Sequence, residues 1–191
     1  MRIGILGGSF DPIHLGHLQL ARAVQKDFFL DKVFFVPSKV PPHKQTQILA
    51  GAADRINMIS LAIKPYRSFS ASRYEIDKRG MSYTYVTMRY FRKLYPRADI
   101  FFLMGSDSFN ELSSWARIEQ LMSLCTCIVV KRRDYPPRKE SPYYSRVLFA
   151  RNEIPDVSSS MIREFLKKGK STGRMLPPRV SRYILRRRLY A

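Results

Sequence analysis

The chain has 191 residues, 45% of them hydrophobic, which is enough to bury a sizeable core and excludes a disordered or fibrous protein. Thirty-four Lys and Arg against 15 Asp and Glu leave a net charge of +19, a balance that attracts polyanions, either nucleic acid or small phosphates. No apolar run approaches the roughly 20 residues needed to span a bilayer. Glycines and Asp11 interrupt the first residues too soon for a signal peptide, so a cytoplasmic protein with no membrane partner is expected.

Taken in order, Arg2 to Leu6 reads as a strand, and a helix begins near Leu15 and reaches about Lys26. A second strand, Val33 to Val36, is stopped by Pro37. The loop that follows, Ser38 to about Leu49, is rich in Pro, Lys and Gln, and loops of that length inside a domain usually serve function. Ala52 to Ile63 is helical, with Ile56, Ile59 and Ile63 on one stripe, and Phe69 to Ser72 is a third strand. Ser82 is placed to cap a helix in which Tyr83, Val86, Tyr90, Phe91 and Leu94 recur at helical spacing, ending at or before Pro96. Ile100 to Met104 is continuously apolar, as in a central strand covered on both faces, and Gly105 to Ser108 ends it. Cys127 to Val130 is a further strand, Tyr135 to Pro142 a surface loop, and Val147 to Phe149 a last short strand. Helices near Ser159 to Lys168 and Pro178 to Arg187 close the chain, the second starting on a proline. Strands alternating with helices imply an α/β, Rossmann-like, doubly wound parallel sheet in three layers, one domain over residues 1–191 with C-terminal helices.

The two cysteines, Cys125 and Cys127, read as buried small hydrophobes, with thiols expected on opposite faces of a strand. A disulfide framework or zinc site lacks the other ligands.

Chemistry concentrates in Gly7-Gly8-Ser9-Phe10-Asp11-Pro12-Ile13-His14-Leu15-Gly16-His17, which holds two of the three histidines. An apolar strand runs there into a glycine turn and a helix start, the arrangement that builds a phosphate site at the C-terminal edge of a parallel sheet. His14 and His17 share a face of the first helical turn and are suited to donate to phosphate oxygens. The pattern is neither the Gly-rich loop ending in Lys-Ser/Thr nor G-x-G-x-x-G, so neither a P-loop enzyme nor a nicotinamide or flavin dehydrogenase is expected. Two histidines fall short of a zinc site, and no protein metal ligand is assigned.

The segment Gly8 to His17 resembles the first signature of the nucleotidyltransferases with a HIGH-type motif. Val157-Ser158-Ser159-Ser160-Met161-Ile162-Arg163-Glu164 resembles their second. Within that superfamily the chain is similar to the bacterial nicotinate-nucleotide adenylyltransferases. The likeness includes Pro41-Pro42-His43-Lys44, Ser82-Tyr83-Thr84, Gly105-Ser106-Asp107, Trp115, Lys131-Arg132 and Leu176-Pro177. It departs at Ser9 and Ser160, where that family has Thr, and at Arg133-Asp134-Tyr135, where Pro-Gly is common.

The resemblance implies transfer of AMP from ATP to the 5′-phosphate of nicotinic acid mononucleotide, giving deamido-NAD and pyrophosphate. It makes His14, His17 and Arg163 catalytic. It assigns Gly7, Gly8, Ser9, Phe10, Gly16, Lys44, Gly105, Asp107, Ser159, Ser160 and Ile162 to ATP, and Tyr83, Thr84, Trp115, Lys131 and Arg132 to the acceptor. Mg²⁺ would arrive with ATP, held by phosphate oxygens and water. Alternatives on the same motifs are adenylyltransferases for nicotinamide mononucleotide or phosphopantetheine. From another class comes a basic nucleic-acid-binding protein on the same fold, favoured by the +19 charge and opposed by the intact pair of signatures. A homo-oligomer is compatible with the sequence, and the run of Arg and Lys from Lys167 to Arg188 has no catalytic explanation.

Overall fold

The computed structural model describes residues 1–39 and 49–190. Pro41, Pro42, His43 and Lys44 therefore lie outside the described residues, and with them the assignment of Lys44 to ATP.

In chain order, β1 (Arg2–Gly8) leads into α1 (Leu15–Asp27) and β2 (Lys32–Pro37). Next come α2 (Ala52–Ile63), β3 (Phe69–Ala71) and the single turn α3 (Tyr74–Asp77). The middle of the chain holds α4 (Thr84–Leu94), β4 (Asp99–Gly105), α5 (Ser106–Asn110), α6 (Ile118–Leu124) and β5 (Thr126–Val130). The last elements are β6 (Leu148–Phe149), α7 (Ser159–Lys167) and α8 (Pro178–Arg187).

The six strands form one sheet in the order β3-β2-β1-β4-β5-β6, every pairing parallel. The order reverses between β1 and β4. In a doubly wound sheet the crevice beyond the carboxyl ends of those two strands is where ligands bind. β1 ends there on Gly7-Gly8 and β4 on Gly105.

Side chains alternate along each strand and so feed two cores. Leu6, Val33, Phe35, Leu103 and Ile128 face α1, α2 and α8, where Leu18, Ala21, Val24, Met58, Ile59, Val180 and Ile184 are buried. Ile3, Ile5, Val36, Phe102, Cys127 and Val129 face α4 and α6 through Met88, Phe91 and Leu121. β1, β2, β4 and β5 are thus covered on both sides, the doubly wound three-layer arrangement expected.

Three details differ from the reading of the sequence. Ser82 does not cap α4; the N-cap is Tyr83, and the Ser82 hydroxyl accepts the Lys39 N–H at 3.0 Å. Cys125 and Cys127 are both buried in the same layer and neither is in a disulfide, because residues two apart on extended chain share a face. The helices α3, α5 and α6 were not anticipated, at four, five and seven residues too short for a periodic signal.

Candidate active site

The first signature folds as its residue types dictate. β1 runs out on two glycines, and Phe10 then takes a left-handed backbone, φ 48°, that costs a non-glycine residue about 1 kcal/mol or more. Complete burial of its ring, edge-on to His17 at 4.8 Å and against Phe35 at 5.8 Å, offsets that cost. The Phe10 side chain is therefore part of the core and lines neither cavity.

His14 is the N-cap of α1, and its N–H donates to Nδ1 of His17 at 3.2 Å. That bond requires a lone pair on His17 Nδ1, so the neutral ring carries its proton on Nε2. The two imidazoles stack with centroids 3.7 Å apart. Burial above all, then electrostatic repulsion from His17 and Arg132, holds His14 well below the usual imidazole range, so at neutral pH it is uncharged.

The second signature docks onto the first. The Ser158 hydroxyl caps α7 by accepting the Met161 N–H at 3.1 Å. Ser159 Oγ donates to the Pro12 carbonyl at 2.9 Å. Arg163 Nη1 donates to the Asp11 carbonyl at 2.8 Å, while its Nη2 reaches Ser160 Oγ at 3.2 Å. Ile162 is fully buried in the core, and its N–H bonds Ser158 O.

Between these parts lies a cavity of about 230 Å³, into which His14, His17, Ser159, Ser160 and Arg163 all face. The N-termini of α1 and α7 border it together, and each presents unpaired N–H groups and partial positive charge. Gly16 lies on the same wall, where a Cβ would sit 3.0 Å from His14 Nδ1.

The far wall is the end of β4. Gly105 is the N-cap of α5, and Asp107 stands in that helix's first turn rather than at its cap. Arg132 reaches in from beyond β5, donating to Asp107 at 2.9 Å, to Asp156, and to the Val157 carbonyl at 3.2 Å. A side chain at position 105 would run into the Asp107 carboxylate and approach Arg132 Cδ at 3.2 Å. Arg132 thus lines this first cavity. Lys131 lines neither cavity; its carbonyl accepts the Ile154 N–H at 3.0 Å.

A second cavity of about 430 Å³ adjoins the first, the two sharing Gly7, Gly8, Ser9, Phe102, Ser108 and Trp115. Tyr83 and Thr84 bring the N-terminus of α4 to it, and no side chain caps that end. Trp115 packs edge-on against Phe102 at 5.8 Å. Glu75 is buried in the wall, with Thr87 Oγ1 at 2.5 Å. Burial pushes its carboxyl above the usual range, against the hydrogen bonds from Thr87 and Ser82.

Sequence reasoning missed Glu75, Asp156, Arg55 and Tyr190. Arg55 had a signal: it lies one helical turn before Met58 and Ile59 on the apolar stripe of α2, where a charge is out of place. It is 2% exposed, and its Nη1 donates at 2.7 Å to both Ser9 O and Ser38 O.

A cytidylyltransferase-like family model matches residues 5–165. The nicotinate-nucleotide adenylyltransferase of Bacillus subtilis is 38% identical over 191 residues, covering 99% of this chain and 98% of that protein. The chain belongs to the nicotinate-nucleotide adenylyltransferase family. A probable nicotinate-nucleotide adenylyltransferase from Bacillus cytotoxicus is 40% identical with the same coverage. Among solved structures, the Plasmodium falciparum nicotinic acid mononucleotide adenylyltransferase complexed with NaAD superposes with a TM-score of 0.82 at 22% identity, covering 99% of this chain and 97% of that one. That likeness is one of fold.

Proposed function

We propose that the chain transfers the adenylyl group of ATP to the 5′-phosphate of nicotinic acid mononucleotide, releasing pyrophosphate and forming deamido-NAD. The observation that carries this reading is the pair of cavities meeting at Gly7, Gly8 and Ser9, with imidazoles and guanidinium groups on one side and Trp115 with the open end of α4 on the other.

ATP fits the first cavity, with adenosine toward Gly105 and Asp107 and the phosphates between the starts of α1 and α7. The acceptor fits the second, its pyridine ring beside Trp115 and its carboxylate at the N–H groups that begin α4. The acceptor phosphate then faces the α-phosphorus across the glycine turn. The nucleophile is already an anion, so no base and no covalent intermediate is needed. Rate comes from positioning and from neutralising charge as the pyrophosphate oxygen departs. His17, as an Nε2–H donor, and Arg163 serve that charge, and neutral His14 adds a dipole without competing for it. The described residues contain no group of three or more His, Cys, Asp or Glu side chains able to hold a metal ion. Magnesium would enter with ATP, held by phosphate oxygens and water, and would supply charge neutralisation to the leaving group. A net charge of +19 favours the reading as well, since both substrates are anions.

Mass spectrometry of the products formed with ATP and each of three acceptors tests it. Nicotinic acid mononucleotide is expected to give dinucleotide and pyrophosphate. A chain that adenylylates nicotinamide mononucleotide or phosphopantetheine and leaves the acid untouched has a different acceptor.

A further inference from the structure

Asp11 sits beneath the two interlocked signatures and is 1% exposed. Its Oδ1 accepts the Ala50 N–H at 3.0 Å and the Tyr190 hydroxyl at 2.6 Å, and its Oδ2 accepts the Leu49 N–H at 2.8 Å. Arg163 Nη1 is 4.0 Å from that same Oδ2, yet it donates instead to the Asp11 main-chain carbonyl at 2.8 Å. An arginine beside a buried carboxylate ordinarily pairs with it, because the guanidinium is attracted more strongly by a full opposite charge than by the dipole of a carbonyl. Here three donors already occupy the carboxylate, one of them supplied from 179 residues away.

We propose that Tyr190 is a positioning residue for nucleotide binding: its hydroxyl satisfies the Asp11 carboxylate, so that the Arg163 guanidinium stays directed at the phosphate cavity instead of being captured by Asp11. Without the phenol, Oδ1 keeps a single donor, and the uncompensated charge pulls on the nearest cation. A closure of about 1 Å brings Arg163 into a direct pair, which spends its charge and turns the fork away from Ser160 and the cavity. Two features suit the tyrosine to this task. Its backbone takes the left-handed conformation, φ 66°, which a non-glycine residue adopts at a cost. Burial and the neighbouring carboxylate push its own ionisation far above the usual phenol range, so it remains a donor at any working pH. The proposal rests on the adenylyl-transfer reading only in taking ATP as the phosphate ligand.

A double-mutant cycle separates this role from ordinary packing. Tyr190→Phe keeps the ring and removes only the oxygen. The dissociation constant of the magnesium complex of ATP is measured by calorimetry on the full chain without acceptor, in the native background and with Arg163→Gln, which leaves no charge to capture. The expected result is a weakening of about tenfold in the native background and less than about twofold with Arg163→Gln. Equal weakening in both backgrounds overturns the proposal, as does a Tyr190→Phe chain that loses thermal stability while keeping its ATP affinity. A native chain that binds ATP but makes no dinucleotide from nicotinic acid mononucleotide sinks the functional reading alone and leaves the cycle measurable; one that binds no ATP sinks both.

Discussion

Replacing His17 with Ala is expected to lower kcat by about 100-fold or more, the loss typical of one donor aimed at charge that develops in the transition state. The side chain has two jobs that a single variant confounds. Its Nδ1 accepts the His14 N–H, closing the start of α1 in the manner of a capping box. The opposite edge of the ring carries the proton that can reach a phosphate. His17→Gln separates the two, since glutamine at the third helical position is itself a good partner for the cap N–H. Gln is expected to hold the melting temperature near that of the parent and still to lose most of kcat. Ala is expected to lose both. Steady-state assays beside circular dichroism melts measure the pair, and near-normal turnover in either variant removes His17 from the mechanism.

The largest loss of stability from one substitution near the site is expected at Arg55. Exchanging a buried arginine for an apolar residue of similar length can be neutral when its partners are exchanged as well. The partners here are the main-chain carbonyls of Ser9 and Ser38, which no side-chain substitution removes. Arg55→Met strands the buried Ser38 carbonyl and the partly buried Ser9 carbonyl, each of which loses a bond to a charged donor, for a combined cost of about 3 kcal/mol. In a chain of this size that is a fall in melting temperature of roughly 6–12 °C. Because Ser9 closes the glycine turn and Ser38 follows β2, ATP affinity is expected to fall too, even well below the melting temperature. A variant that melts within a degree or two of the parent contradicts the view that this guanidinium holds the turn in place.

The fold was legible in the sequence because each strand is a short apolar run and each long helix repeats its apolar residues every third or fourth position. α2 and α8 were bounded to the residue for that reason. The two signatures were legible because each is contiguous. What they touch was not. Arg132 follows Lys131 directly, and only the end of β5 decides that Arg132 lines the first cavity while Lys131 does not. Phe10 and Ile162 stand inside the two motifs, and their place there does not reveal that both side chains are buried in the core beneath the site. The contacts of Asp11 with Arg163 and Tyr190 join residues 152 and 179 positions apart, and no local periodicity or spacing carries that information.

The central claim is that groups from the two signatures act on one triphosphate. The most direct measurement is a crystal structure of the chain with a non-hydrolysable ATP analogue. The phosphates are expected between the first turns of α1 and α7, with His17 and Arg163 both within hydrogen-bonding distance of phosphate oxygens. A nucleotide bound elsewhere, or bound there with Arg163 turned away from His14 and His17, contradicts it.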